Sequence, residues 1–196
     1  VSNTFTWTYD SAKPSLTIAS TTDGVSNGST TNKGTIALTF TSTKVTTDFD
    51  EDDIAVNNGV LSDFVASSGK VYTAILTPNE QGTVTITVAA GQFTDGAGNG
   101  NAVSNTFTWT YDSAKPSLTI ASTTDGVSND STTNDGTIAL RFTASETTTN
   151  FIESDITVSN GSLSNFAGSG TEYTATLAPN ARSEEHTSEL QSPDHL

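Results

Sequence analysis

Cysteine is absent from the 196-residue chain, and its two histidines, His186 and His195, both fall within the last eleven residues. No disulfide can form, so each domain must be held by its apolar core, with bound metal as the available supplement. Before His186 the chain also lacks the imidazole that most nucleophile–base pairs and zinc sites use. Positive charge is scarce: seven Lys and Arg stand against 22 Asp and Glu, a formal net charge of −15. Such a surface repels nucleic acid and anionic membranes and favours divalent cations. No apolar run approaches the ~20 residues of a membrane helix, so no membrane insertion is expected of this segment. Lys13, Lys33, Lys44, Lys70 and Lys115 fall at loops or edges with no partner base, and Gly96–Asn101, GAGNGN, lacks the strand-to-helix setting of a phosphate loop. No enzymatic activity is expected. Paired carboxylates of the glycosidase kind are explained more simply as turn formers or metal ligands.

What the chain has is a repeat. Val1–Asn27 recurs letter for letter as Val103–Asn129, a period of 102 residues. This exceeds the roughly 20 to 50 residues of solenoid and propeller units, so each copy is long enough to be a domain. Near-identical neighbours suit spacers, which need many equivalent beads, better than enzymes, which need one specialised site. The match runs to Phe64/Phe166 and, after a one-residue deletion, resumes at Tyr72/Tyr173 and ends at Pro78-Asn79/Pro179-Asn180. Residues 181–196 share nothing with the first copy. From Arg182 they resemble the in-frame translation of a sequencing-library adapter, RSEEHTSELQS, and are expected to be a non-native or disordered tail. Setting aside Arg182, Glu184, Glu185, Glu189 and Asp194 leaves a net charge of −12. The chain is expected to be an interior fragment of a longer protein.

Short alternating runs rich in Thr, Val, Ile and aromatics, separated by Gly, Asn and Asp, predict an all-β fold. The predicted strands of a full copy are 15–20, 35–42, 53–57, 60–65, 71–77, 83–90 and 105–111. In the second of these Ile36, Leu38 and Phe40 point inward against Thr35, Ala37 and Thr39. The sixth repeats the pattern with Val84, Ile86 and Val88, and the seventh with Phe107, Trp109 and Tyr111. Seven such strands in about 100 residues describe an immunoglobulin-like β-sandwich. The fold expected is therefore a tandem of immunoglobulin-like sandwiches, the second truncated.

Pro14 opening the first strand, the TTDGVSN loop, Phe49 with Asp53-Ile54, Gly59 with Phe64, Tyr72-Thr73-Ala74, and Thr94-Asp95-Gly96-Ala97-Gly98-Asn99 together carry a resemblance to the bacterial immunoglobulin-like repeats of large surface adhesins and biofilm-associated proteins. It covers Ser11–Asp112 fully and Ser113–Asn180 as a shortened copy. It implies four segments: 1–10, the last strand of a preceding repeat plus linker; 11–112, a complete repeat; 113–180, a repeat reduced to its first five strands; and the tail, 181–196. The shortened repeat is expected to have an open face and an unpaired edge.

With strands running alternately, the linker before the first strand, the loop after the second and the loop before the seventh share one end. That end collects Asp10, Asp48, Asp50, Glu51, Asp52, Asp53, Asp95 and Asn99. Oxygen donors from three loops suit Ca²⁺, which takes 6 to 8 oxygens at roughly 2.3 to 2.6 Å. The resemblance points the same way, since related adhesin repeats bind calcium at domain junctions. In the second copy Asp112, Glu153 and Asp155 persist, while Asn150, Ile152 and Ser154 replace Asp48, Asp50 and Asp52. The candidate metal ligands are thus Asp10, Glu51, Asp53, Asp95, Asn99, Asp112, Glu153 and Asp155. The alternative, that these acids are solvated turn formers, stays open. Asp48, Asp50 and Asp52 are no EF-hand, because Asp53 stands at the glycine position and no helices flank it. Asp23-Gly24 and Asn27 are read as turn residues, and Trp7/Trp109 with Tyr9/Tyr111 as packing residues rather than a sugar platform.

The function expected is that of structural stalk or spacer repeats in an extracellular or cell-surface bacterial adhesin, stiffened by calcium at the junctions. The partners expected are neighbouring repeats of the same chain, with host or matrix glycan or protein engaged through other parts of the protein. Two alternatives remain: a ligand-binding module using its loop tips, and a spacer appended to a secreted enzyme.

Overall fold

In the first unit alternating Thr and aliphatic residues place one face of the longer strands in a core and the other toward water, and the chain pairs accordingly. The computed structural model describes residues 2–180, which divide into two units between Ala114 and Lys115. The expectation for the tail, 181–196, lies outside the described residues.

In the first unit the strands are β1 (Leu16–Ser20), β2 (Thr30–Thr31), β3 (Ile36–Ser42), β4 (Ile54–Asn57), β5 (Gly59–Ala66), β6 (Val71–Pro78), β7 (Gly82–Val88) and β8 (Phe107–Tyr111). They form two four-stranded sheets, ordered β1-β3-β6-β5 and β2-β8-β7-β4. Every pairing is antiparallel except β2 with β8. This is the sandwich expected of the immunoglobulin-like class. Ile36, Leu38 and Phe40 from one sheet and Val84, Ile86, Val88, Phe107 and Trp109 from the other are buried between them.

Several strand ends shift by one or two residues from expectation, and three departures have a distinct local reason. Asp53 leaves the strand for a single 3₁₀ turn, Glu51–Asp53. There the Asp50 side chain accepts from the Asp52 N–H and the Asp53 side chain from the Asp50 N–H, both at 3.0 Å. At the other end, Asn105 stays outside β8 because its amide completes the β1 edge: Oδ1 accepts from Ile18 N–H at 2.8 Å and Nδ2 donates to Ile18 O at 3.0 Å. Strand β2 was not expected at all. Two residues carry no periodicity, and their pairing with Thr110 and Tyr111 links positions 80 residues apart.

The second unit has β9 (Leu118–Ser122), β10 (Ile138–Thr148) and β11 (Gly161–Pro179), in the order β11-β10-β9. The long β11 doubles back through Asn165, Gly168 and Gly170, all at positive φ, so that it serves where β5 and β6 serve in the first unit. Phe166 stacks on Tyr173 at 5.7 Å across this hairpin, as Phe64 does on Tyr72 at 5.8 Å. Among the described residues no strand corresponds to β2, β4, β7 or β8. The consequence is exposure: Leu118 and Ile120 are 40% and 59% exposed, whereas their counterparts Leu16 and Ile18 are 3% and 2%.

Candidate functional site at the linker end of the first unit

The β7–β8 loop winds around one carboxylate. Asp95 Oδ1 accepts from the N–H of Ala97 at 3.0 Å and of Asn99 at 2.9 Å, while Gly98 N–H returns to Asp95 O at 2.9 Å. Gly98 takes φ +83, a conformation natural to glycine, and this explains its place in the DGAGN segment. The second oxygen, Oδ2, accepts from Asn99 Nδ2 at 3.1 Å and lies 2.8 Å from Lys44 Nζ on the β3–β4 loop.

The same ammonium holds the linker. Lys44 Nζ donates to both oxygens of Asp10, at 2.9 and 2.8 Å, and to the carbonyl of Ala12. Asp10 also accepts from the Ala12 N–H at 3.0 Å, and its carbonyl accepts from Asn99 Nδ2 at 3.0 Å. Three segments far apart in sequence are thereby tied at one point. The electrostatics follow the geometry. Hydrogen bonding to Lys44 holds both Asp10 and Asp95 below the ordinary carboxylate value, Asp95 far below it, helped in Asp95 by the Asn99 and Ala97 N–H groups. The bonds to Asp10 and Asp95 raise Lys44 in turn.

A second staple joins the two loops. Asp48 accepts from Thr94 N–H at 3.0 Å, from Thr94 Oγ1 at 2.7 Å and from Thr46 Oγ1 at 2.7 Å. Desolvation pushes the Asp48 carboxyl up, and the Thr94 and Thr46 bonds outweigh it, so it lies below its ordinary value. Beneath the loops Phe49 packs edge-on to Tyr72 at 4.9 Å and against Phe93 at 5.0 Å, and the buried Tyr72 hydroxyl donates to Thr46 O at 3.0 Å. Asn101, 1% exposed, accepts from the N–H groups of Gln92 and Phe93 and donates to the carbonyls of Ala89 and Ala102.

Of the eight candidate ligands, the structure brings Asp10, Asp95 and Asn99 together. Glu51 and Asp53 belong to the 3₁₀ turn, where Asp53 serves as a cap and is raised by desolvation, with Asp50, Asp48 and Asp52 adding repulsion. Asp112 forms the same local turn as Asp10, accepting from Ala114 N–H at 3.1 Å. In the second unit Asp155 caps Ile152 N–H at 3.0 Å, and Glu153 is exposed in the same turn. Among the described residues no three carboxylates or imidazoles are grouped to share one ion. The oxygens of Asp10, Ala12 and Asp95 around Lys44 Nζ are hard donors of the calcium kind, but four in number, against the six to eight calcium takes, and an ammonium stands among them. Lys44 is the residue that sequence reasoning missed. The available signal was its isolation: it is the one basic residue between Lys33 and Lys70. Its counterpart in the second copy is Glu146.

A family model for the bacterial Ig-like domain matches residues 10–111 and 112–192. The chain is also similar to the crystal structure of invasin, a bacterial integrin-binding protein, with 19% identity and a TM-score of 0.38; the match covers 85% of this chain and 34% of that one. The chain thus spans about a third of the length of that structure. No curated protein matches.

Proposed function

The chain belongs to the bacterial Ig-like domain family, and from this we propose that it is a run of non-catalytic spacer domains in the stalk of an adhesin-type bacterial protein held outside the cell. The observation that carries this reading is the Lys44 clamp. A spacer must pass load from one bead to the next, and Lys44 ties the incoming linker at Asp10 to two loops of the sandwich instead of leaving it free. The repetition of Asp10–Pro14 as Asp112–Pro116 supplies further short linkers of the same sequence. The proposed partners are adjacent repeats of the same chain, with host or matrix glycan or protein engaged by other parts of a longer protein. Single-molecule stretching of the whole chain tests it. A spacer gives one abrupt rupture for residues 10–111, releasing roughly 340–370 Å of chain at about 3.3–3.6 Å per residue. Gradual lengthening without a rupture would sink the reading.

Calcium is the finer part of the proposal. The ion would draw on Asp10 and Asp95 and would compete there with the Lys44 ammonium, so removing that ammonium should strengthen its effect. Melting of the chain and of Lys44→Gln, each with millimolar calcium against a magnesium control, decides the matter. The expected result is a calcium-specific rise in Tm that is larger in Lys44→Gln. No calcium-specific shift in either protein removes the metal from the proposal.

A further inference from the structure

We propose that the segment entering the first unit, residues 10–18, and the segment that leads into its last strand, residues 99–105, form a shear joint that carries tension directly across the domain. The proposal rests on the stalk reading and names the contacts through which tension would pass. Three points tie the two segments. Asp10 O accepts from Asn99 Nδ2 at 3.0 Å, Pro14 O accepts from Ala102 N–H at 2.8 Å, and the Asn105 amide brackets the backbone of Ile18. Positions rise together on both sides, 10, 14 and 18 against 99, 102 and 105, so the segments run parallel.

Parallel alignment decides how such a joint fails. Leu16 pairs with Ser42, beside the start of β6 at Val71, and Tyr111 pairs with Gly82, beyond the end of β6 at Pro78. Tension therefore pulls the entering segment and β8 from opposite ends of the sandwich, along the strands. Inter-strand bonds run across the strands, so bonds between parallel segments pulled this way are strained together. An antiparallel pair pulled from adjacent ends opens one bond at a time. The parallel sense continues past the joint, because β2 runs parallel to β8. There Thr110 N–H donates to Ser29 O at 2.9 Å and Asp112 N–H to Thr31 O at 3.0 Å.

Topology gives the joint its effect. Ile18 and Asn105 are 87 positions apart, so while the bracket holds, the chain between them lies off the shortest path of tension. Asn105 suits this place because its planar amide carries a donor and an acceptor side by side, as a peptide group does. One side chain thus makes both bonds of a strand pair on β1, the outer strand of its sheet. Forced unfolding follows the rate of unfolding and not the equilibrium stability. A bond at the joint therefore matters more to a stalk than an equal bond elsewhere in the sandwich.

Stretching the whole chain from its two ends at constant force tests the joint. Asn105→Ala should shorten the dwell before the first unit ruptures by a factor of about 10 or more, the worth of two hydrogen bonds. A change of pulling direction leaves the joint itself unaltered. The chain has no native cysteine, so Glu80→Cys supplies a single attachment point on the turn between β6 and β7. Pulling from position 80 against the C-terminus loads β7 and β8 from Gly82 and Tyr111, pair by pair. The first unit should then yield at a markedly lower force than in end-to-end pulling, a comparison that stands even where Asn105→Ala fails to fold. Gradual lengthening of the parent pulled end to end would remove the stalk reading and the joint with it. Abrupt rupture with an unchanged dwell in folded Asn105→Ala, or at the same force in both directions, would overturn the joint alone.

Discussion

Lys44 Nζ lies 2.8 Å from Asp95 Oδ2, and the same nitrogen lies 2.8 Å from Asp10 Oδ2. One side chain therefore neutralises two carboxylates from segments that precede and follow it by tens of residues. In the second copy Glu146 occupies this position, so of the two copies only the first carries the lysine.

Lys44→Glu, which imports the residue of the second copy, should free the linker. Limited proteolysis is expected to cut faster between residues 8 and 14, with a lower Tm for the first unit. Lys44→Gln should show the same changes to a smaller degree, because it removes the attraction without adding repulsion. Unchanged cleavage in both variants would mean that the clamp does not hold the linker.

The clamp should also define a pH window. Asp10 and Asp95 lie below their ordinary value of 3.8, so their contribution is present above that value and is lost as pH falls through their folded values. Lys44 lies above its ordinary 10.5, so its contribution is present below 10.5 and is lost as pH rises through its folded value. Linker protection in proteolysis should be flat between these limits and decline outside them. Lys44→Gln should flatten the alkaline limb and reduce the acid one.

Asp53 behaves in the opposite sense. Its carboxyl is raised, so the charged form is disfavoured in the fold, and the cost disappears as pH falls through the raised value. Asp53→Asn keeps an oxygen to accept from Asp50 N–H while removing repulsion from Asp48, Asp50 and Asp52. The variant should be no less stable than the parent at neutral pH by urea denaturation. Marked destabilisation would show that the charge itself is needed.

Two tryptophans in identical sequence should respond differently. Trp109→Ala empties a fully buried position and should cost about 3–5 kcal/mol of first-unit stability, whereas Trp7→Ala, at 73% exposure, should leave that stability unchanged. Chemical denaturation of the two variants provides the comparison.

The buried amide of Asn101 should matter as much as an apolar core residue. Asn101→Ala strips partners from the N–H groups of Gln92 and Phe93 and the carbonyls of Ala89 and Ala102, at a cost of about 1–3 kcal/mol. Hydrogen exchange should accelerate first at Gln92 and Phe93. Persisting protection there would show that the loop is held by other contacts.

Strand identity was legible because it is written locally. Ile36, Leu38 and Phe40 alternate with polar or small residues, as do Val84, Ile86 and Val88, and a period of two survives without knowledge of the partner strand. Strand β2 and the 3₁₀ turn at Glu51–Asp53 were not legible. The first exists only through its ladder to β8, and the second through hydrogen bonds among Asp50, Asp52 and Asp53 that compete with extension of β4.

The sequence by itself determined the repeat, the seven principal strands and, through strand parity, the meeting of the linker with the β3–β4 and β7–β8 loops. All of these depend on period and direction, which a single chain displays. Tertiary structure decided what the acids at that meeting point do. Lys44 is 34 residues from Asp10 and 51 from Asp95, and nothing in the order of residues says which charge a long flexible side chain will reach. Folding brought one ammonium within hydrogen-bond range of both carboxylates, and turned Asp53 to the backbone N–H of Asp50 instead, because each buried or half-buried charge takes the partner that geometry leaves nearest.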